Sequence, residues 1–309
     1  MDLEQAKPLE ITDKELFKGY FEQYPPEISE YSFTNLYMWR NYYQYQFLEH
    51  NDHLILFSRN FLSKHGTPLS EKDGVLFFMP PIGENPEEII LELFRNRKNL
   101  EVHRVPESIV TALEKLKEFS ELNLQIKEDR DNWDYVYNRE ELIELPGNKF
   151  RNQRRNVQKF EEKYDYEFHL IEDKWLEKCK ELQLIWCKIR ECQEDEDLER
   201  EQEAIFDAFD HYEQLAYNGG LIMIDENPVA YTLGEKLNPE MVVIHIEKAN
   251  INFQGAYQAI NNYFCKYCCE KVQFVNREQD LGDLGLKKAK ESYNPVKMIK
   301  KSIIFQKSP

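Results

Sequence analysis

Apolar and polar positions along the first half of the chain alternate in short blocks. Residues 42–48, 53–58 and 75–79 have strand composition. They are separated by Asn51-Asp52 and by a polar stretch, 59–74, rich in turn formers. Ser32 can cap a short aromatic helix or a loop around Leu36 to Trp39. Pro86-Glu87-Glu88 opens an amphipathic helix running to about residue 97, with proline and acids where a helix N-terminus favours them. Residues 100–104 read as a strand and 106–119 as a helix with Ile109, Leu113 and Leu116 on its apolar side. Residues 124–127 and 133–137 read as the strands that close this unit.

Pro146-Gly147-Asn148 interrupts the pattern, and a boundary is placed there, giving domains 1–146 and 147–309. Beyond it come a basic helix (149–164), a strand (166–171) and two helices (174–190 and 198–217). Gly219-Gly220 then starts a three-stranded meander, 221–224, 229–235 and 241–247, joined by Asp225-Glu226-Asn227-Pro228 and Leu237-Asn238-Pro239 turns. A helix (253–271), a strand (272–275), a helix (285–293) and one last strand (296–305) complete the chain.

Length and composition narrow the class. With 309 residues the chain suits two cores, and 41% apolar residues argue against disorder. No apolar run approaches membrane-spanning length and the acidic start is unlike a secretory leader, so a cytoplasmic protein is expected. Six cysteines, all at or after Cys179, follow no secreted-framework spacing, which predicts free thiols. A net charge of −17 argues against bulk nucleic-acid binding. The charge is uneven, however. Residues 149–159 carry five cations and no acid; residues 284–309 carry seven lysines against one acid. Residues 191–213 carry eleven acids against Arg200 alone, a pattern expected of solvated helix faces.

Candidate chemistry concentrates in residues 276–295. There a strand delivers Arg277, Glu278 and Asp280 to two glycines and a lysine-rich helix that ends on Ser292-Tyr293-Asn294-Pro295. Open α/β sheets bind ligands outside such strand ends. Arg277 and Asp280 are placed to orient a substrate or to form an N-cap salt bridge. Tyr293 can donate a proton to a leaving oxygen or pack at the helix end. On the third meander strand His245 and Glu247 share a face, and a glutamate there can take the proton of an attacking amine; pairing with Lys248 is the structural alternative. His245 and Lys248 are assigned to the acceptor side. Arg151, Arg154 and Arg155 gather on one helix face, fit for phosphates or for a solvated surface. Together with Lys287 they are expected to border one groove that holds a polyanionic donor. Cys265, Cys268 and Cys269 share a helix face and read as core rather than as a metal site, and Trp186-Cys187 likewise reads as core. No metal or cofactor is expected.

The order strand, two helices, meander, helix, strand, helix, strand is similar to that of the GNAT acyltransferases, whose helix after the splayed strand binds acyl-CoA diphosphate. At the matching junction only Gly255 fits the usual signature; Asn252 and Tyr257 stand where its other members belong. Further motifs are Phe150-Arg151-Asn152-Gln153-Arg154-Arg155-Asn156, Thr232-Leu233-Gly234, His245-Ile246-Glu247-Lys248-Ala249, Ile260-Asn261 and the opening Tyr31-Ser32-Phe33-Thr34-Asn35. Through these and the 276–295 block, nearly the whole chain resembles soluble bacterial proteins grouped with the C-terminal domain of phosphatidylglycerol lysyltransferases. The resemblance implies an α/β fold of two tandem GNAT-like domains, with mixed sheets flanked by helices, related to the Fem peptidyltransferases.

It also implies an acyl or aminoacyl transferase. Its donor would be aminoacyl-tRNA or acyl-CoA, and its acceptor a small molecule, a peptide or a lipid headgroup. A catalytically inactive binding protein of the same fold is the alternative. Lys290 matches the family lysine that contacts the reacting acyl group, with Ala289 where an aromatic residue is usual. It is expected on a polar helix face, leaving Leu286 and Ala289 for the core.

Overall fold

A computed structural model describes residues 1–58, 75–269 and 271–306. In chain order the strands are β1 (Lys7–Pro8), β2 (Tyr45–His50), β3 (His53–Ser58), β4 (Leu76–Phe78), β5 (Leu100–Pro106), β6 (Leu124–Glu128), β7 (Asp134–Asn138), β8 (Glu167–Leu170), β9 (Asn218–Ile224), β10 (Asn227–Asn238), β11 (Met241–Ala249), β12 (Phe274–Asn276), β13 (Lys297–Ile299) and β14 (Lys301–Gln306). The α-helices are α1 (Lys14–Gln23), α2 (Phe33–Tyr43), α3 (Pro86–Asn96), α4 (Glu107–Glu114), α5 (Lys117–Glu121), α6 (Arg139–Glu144), α7 (Arg151–Lys163), α8 (Leu176–Arg190), α9 (Glu196–Asp210), α10 (Tyr212–Leu215), α11 (Ala256–Tyr263) and α12 (Leu284–Glu291). The polar stretch 59–74 lies outside the described residues.

The chain folds as two compact units. One comprises Met1–Asp134 and the segment from Ile299 onward; the other is Tyr135–Met298. Each holds a mixed sheet flanked by helices. The first sheet runs β1-β2-β3-β4-β5-β14-β6 and the second β13-β7-β12-β11-β10-β9-β8.

This division differs from the boundary expected at Pro146. β7 pairs with β12, so the strand expected to close the first domain belongs to the second sheet. The single strand expected over 296–305 is two: β13 stays in the second sheet, whereas β14 inserts between β5 and β6 of the first. Local composition cannot choose between two sheets that both accept an apolar strand; partner choice is a long-range decision.

The first core is built by Ile55, Phe57, Ile90, Leu93, Val102 and Ile304. Inside this unit the Lys301 ammonium is fully buried and lies 2.6 Å from both Glu30 Oε2 and Asp134 Oδ1. α2 is almost wholly buried over Phe33 to Met38, which leaves no polar face to mark it as a helix, and Ser32 caps it by accepting from Asn35 N–H.

In the second unit β9, β10 and β11 form the expected antiparallel meander. β11 pairs with the parallel β12 only through Met241–Phe274, Val242–Val275 and Val243–Asn276. β11 runs on to Ala249 while β12 ends, so the two strands part, and the gap is the splay expected near Glu247. α11 covers the meander through Ala256, Ala259 and Ile260, packed on Ile222, Val229 and Ala249. It continues into one π-helical turn, Phe264–Cys268, whose Cys265 and Cys268 are core residues, as expected.

Candidate active site

The splay between β11 and β12 is bridged by charge. Arg277 is the first residue beyond β12; its N–H still pairs with the Tyr135 carbonyl, which fixes where the side chain starts. Its Nη2 lies 2.9 Å from Glu247 Oε1, on the free part of β11. Both side chains are largely buried. The guanidinium packs 4.6 Å from the Tyr293 ring centre and 5.6 Å from that of Tyr137. Burial alone would ease the proton off Arg277; the Glu247 charge outweighs it and raises the pKa further. Burial likewise pushes the Tyr293 and Tyr137 phenols up, so both stay neutral at any physiological pH.

Three more polar atoms surround the same carboxylate. Asn261, one face of α11 down from its N-terminus, donates Nδ2–H to Glu247 Oε2 at 2.8 Å. Thr232 is the register partner of Glu247 across β10 and β11, so its side chain shares that face. Arg277 Nη1, Asn261 Oδ1 and Thr232 Oγ1 are buried and have no hydrogen-bond partner in the protein. Buried polar groups are rarely left so. Three of them lie in this one cluster, which makes it the candidate site of the second unit.

The loop after β12 is held from three sides. Asp280, fully buried, accepts from Tyr135 Oη–H at 2.6 Å and from Gly282 N–H at 2.9 Å. Lys290 Nζ donates to the Arg277 carbonyl at 2.6 Å and to the Gln279 carbonyl. Glu278, in the left-handed region at φ 56°, turns its carboxylate onto His245 Nδ1 at 2.8 Å. His245 Nε2 meets Glu235 at 3.0 Å. Burial would lower the His245 pKa, but the two carboxylate hydrogen bonds outweigh it and raise it to about 9. His245 is thus an imidazolium clamped between two acids.

The structure brings together Glu247, Arg277, Tyr293 and, through the loop, Asp280 and Lys290. The helix carrying Lys290 is inverted relative to expectation. Lys290 is the one buried side chain of α12, while Leu284 is 81% and Leu286 40% exposed. The loop's inward-facing carbonyls explain this, because they offer a buried ammonium two acceptors.

Lys248 falls on the opposite face of β11, 2.6 Å from Glu201 and 3.7 Å over the Trp186 ring, so it is not beside His245 and Glu247. Gly255, at φ 90°, faces α7: a Cβ there would stand 2.3 Å from the Asn156 carbonyl oxygen and 3.1 Å from Phe160 Cβ. The absence of a Cβ is what allows this close approach of the two helices. Asn252 is exposed, its N–H bonded to Asn250 Oδ1.

Arg154 is likewise taken up by the fold, donating to the Leu145 and Gly147 carbonyls, whereas Arg151 and Arg155 face solvent. α7 does meet the end of α12, through Gln153 Nε2 on the Ser292 carbonyl at 2.7 Å, and Lys287 is half-buried on α12. One thiol expectation fails: Cys187 and Cys192 form a disulfide across the left-handed Glu191 that ends α8. Trp186 and Cys187 are buried, as expected.

Thr232 and Asn261 received no role from sequence reasoning. The available signal was Asn261 itself, a polar residue among Ala259, Ile260 and Tyr263 on a core-facing helix. Among the described residues no group of acids, histidines and cysteines is arranged to hold a metal. Among those residues, too, no helix is long and apolar enough to cross a membrane.

Known proteins share this architecture. No curated protein sequence matches the chain. A conserved protein of unknown function from Bacteroides thetaiotaomicron VPI-5482 is 29% identical, with a TM-score of 0.86 over 98% of this chain and 99% of that one. The L-PGS structure from Bacillus licheniformis has a TM-score of 0.64 at 13% identity, covering 96% of this chain and 93% of that one. FemX has a TM-score of 0.60 at 9% identity, covering 98% and 97%. At those identities both show the fold alone. The family model described as "Phosphatidylglycerol lysyltransferase, C-terminal" matches residues 21–305, and the chain belongs to that family.

Proposed function

We propose that the second unit is an aminoacyltransferase that moves an aminoacyl group from aminoacyl-tRNA to an amine or hydroxyl acceptor at the β11–β12 splay. The observation that carries this reading is the Glu247–Arg277 pair across the splay, with Arg277 Nη1 buried and unpartnered beside it. Acyl transfer needs a base for the nucleophile's proton and a donor for the developing oxyanion. Glu247 supplies the first and Arg277 Nη1 the second. The nucleophile attacks the ester carbon, the bond to the tRNA 3′-oxygen breaks, and the proton lost by the nucleophile ends on that oxygen. Lys290 acts at one remove, as a positioning residue that holds the Arg277 and Gln279 carbonyls. The junction before α11 keeps only Gly255 of the usual diphosphate-binding signature, with Asn252 and Tyr257 at its other positions, and this counts against acyl-CoA as donor.

The test is a transfer screen with radiolabelled aminoacyl-tRNAs beside a panel of acyl-CoAs. Arg277→Ala should lower turnover on the order of 10²-fold or more. Lys290→Arg, which keeps the charge, should retain more activity than Lys290→Ala. Label transfer from acyl-CoA alone, or full activity in Arg277→Ala, would overturn the reading.

A further inference from the structure

The polar atoms around Glu247 distinguish between acceptor types, a step that rests on the transfer reading above. Asn261 spends its amide N–H on Glu247 Oε2, which fixes the side chain so that Oδ1 is left as an acceptor. Thr232 Oγ1 stands across the strand pair from Glu247, also unpartnered. Asn261 and Thr232 are fully buried. Glu247 itself has Oε1 on Arg277 and Oε2 on Asn261, and each carboxylate oxygen can accept a second bond. The site therefore presents three kinds of oxygen acceptor, grouped around a carboxylate whose charge Arg277 already pairs. A primary ammonium has three N–H donors, no acceptor and one positive charge; a hydroxyl has one donor and no charge.

We infer that the acceptor is a primary amine, bound as its ammonium by Glu247, Asn261 Oδ1 and Thr232 Oγ1, and that the product is an amide. Glu247 takes one proton from the ammonium. The freed lone pair attacks the ester carbon of the donor, whose carbonyl oxygen lies on Arg277 Nη1. The C–N bond forms, the C–O bond to the 3′-oxygen breaks, and a second amine proton leaves with that oxygen. Glu247 then returns its proton to water. Thr232 and Asn261 select the amine and hold its nitrogen; they take no proton.

The experiment offers the full chain the labelled aminoacyl-tRNA with matched n-butylamine and n-butanol, and with ethanolamine, which carries both groups. Alkali lability of the product distinguishes ester from amide. The inference expects transfer to butylamine, an alkali-stable product from ethanolamine, and a KM for the amine at least about tenfold higher in Thr232→Val. That variant should melt no lower than the parent, because it removes a hydroxyl that bonds nothing in the protein. Asn261→Leu is a second variant with the same expected KM effect.

An ester from ethanolamine, or an unchanged amine KM in Thr232→Val, overturns the inference and leaves the transfer reading standing. If no donor transfers to any acceptor, the transfer reading falls. Calorimetric titration with butylammonium then decides the inference alone: binding weakened in Thr232→Val supports it, and no binding to the parent overturns it.

Discussion

The imidazolium of His245 makes the second unit sensitive to alkali in a way that can be calculated. Its folded pKa is about 9, against an ordinary value of 6.5. Raised in the folded state, it contributes stability that is fully present below pH 6.5 and is lost as pH climbs through 9. The difference of about 2.5 units corresponds to about 3 kcal/mol at 1.36 kcal/mol per unit. Urea unfolding of the parent at intervals from pH 6 to pH 9.5 should show most of that fall. Buried tyrosines titrate above this window. His245→Gln should start less stable, because Glu235 and Glu278 lose their cation, and its stability should change far less between pH 6.5 and 9. The same titration should loosen the 277–280 loop, since Glu278 is one of its anchors, so hydrogen exchange at Gln279 should rise with pH beyond the intrinsic increase. A parent as stable at pH 9.5 as at pH 6.5, or a His245→Gln variant with the same slope, would refute the assignment of a clamped imidazolium.

Three further outcomes follow from the packing. Lys301→Met should destabilise the first unit by about 3–5 kcal/mol in urea unfolding, because Glu30 and Asp134 would be left buried without their shared cation. Gly255→Ala should cost more than about 1 kcal/mol, since the residue is left-handed and its Cβ would meet the Asn156 carbonyl; a melting temperature equal to the parent's would contradict this packing. Reducing the Cys187–Cys192 disulfide removes a short-loop constraint worth about 2 kcal/mol at most, so reductant should lower the melting temperature of the parent but not of Cys187→Ser with Cys192→Ser.

What the sequence revealed of this molecule is what short-range physics decides. Strand β3 and helix α3 could be read off directly, one from its apolar run and the other from Pro86 and its first-turn acids. The meander was readable from its turns, whereas the splay was expected only through the resemblance to the GNAT acyltransferases. The sheet to which β7 and β14 belong was not, because nothing in residues 133–137 or 301–306 encodes a partner more than a hundred residues away. Lys290 shows the same limit at the scale of one side chain. Lysine is normally exposed, and only the folded loop reveals two carbonyls waiting for its ammonium. Arg277 and Glu247 were readable as candidates because a strand end and an alternating face name them; their ion pair needs the splay to close it.

The Glu247 cluster is poor engineering if stability were its purpose. A buried ion pair is often no more stabilising than well-packed apolar residues of the same volume. This one is accompanied by three buried polar atoms that gain nothing from the fold, each of which loses its bonds to water on burial. A strand pair held together for its own sake would continue its ladder past Val243 and Asn276 and fill the space with aliphatic side chains, as the rest of β11 does with Ile244 and Ile246. The chain instead surrounds the gap with supports: Lys290, Asp280 and the Glu235–His245–Glu278 clamp all fix the backbone that carries Arg277. Spending that much buried charge to position one guanidinium makes physical sense when a bound group completes the missing hydrogen bonds. The expected signature is that Thr232→Val and Asn261→Leu, whose free oxygens are idle in the fold, change binding and turnover more than they change stability.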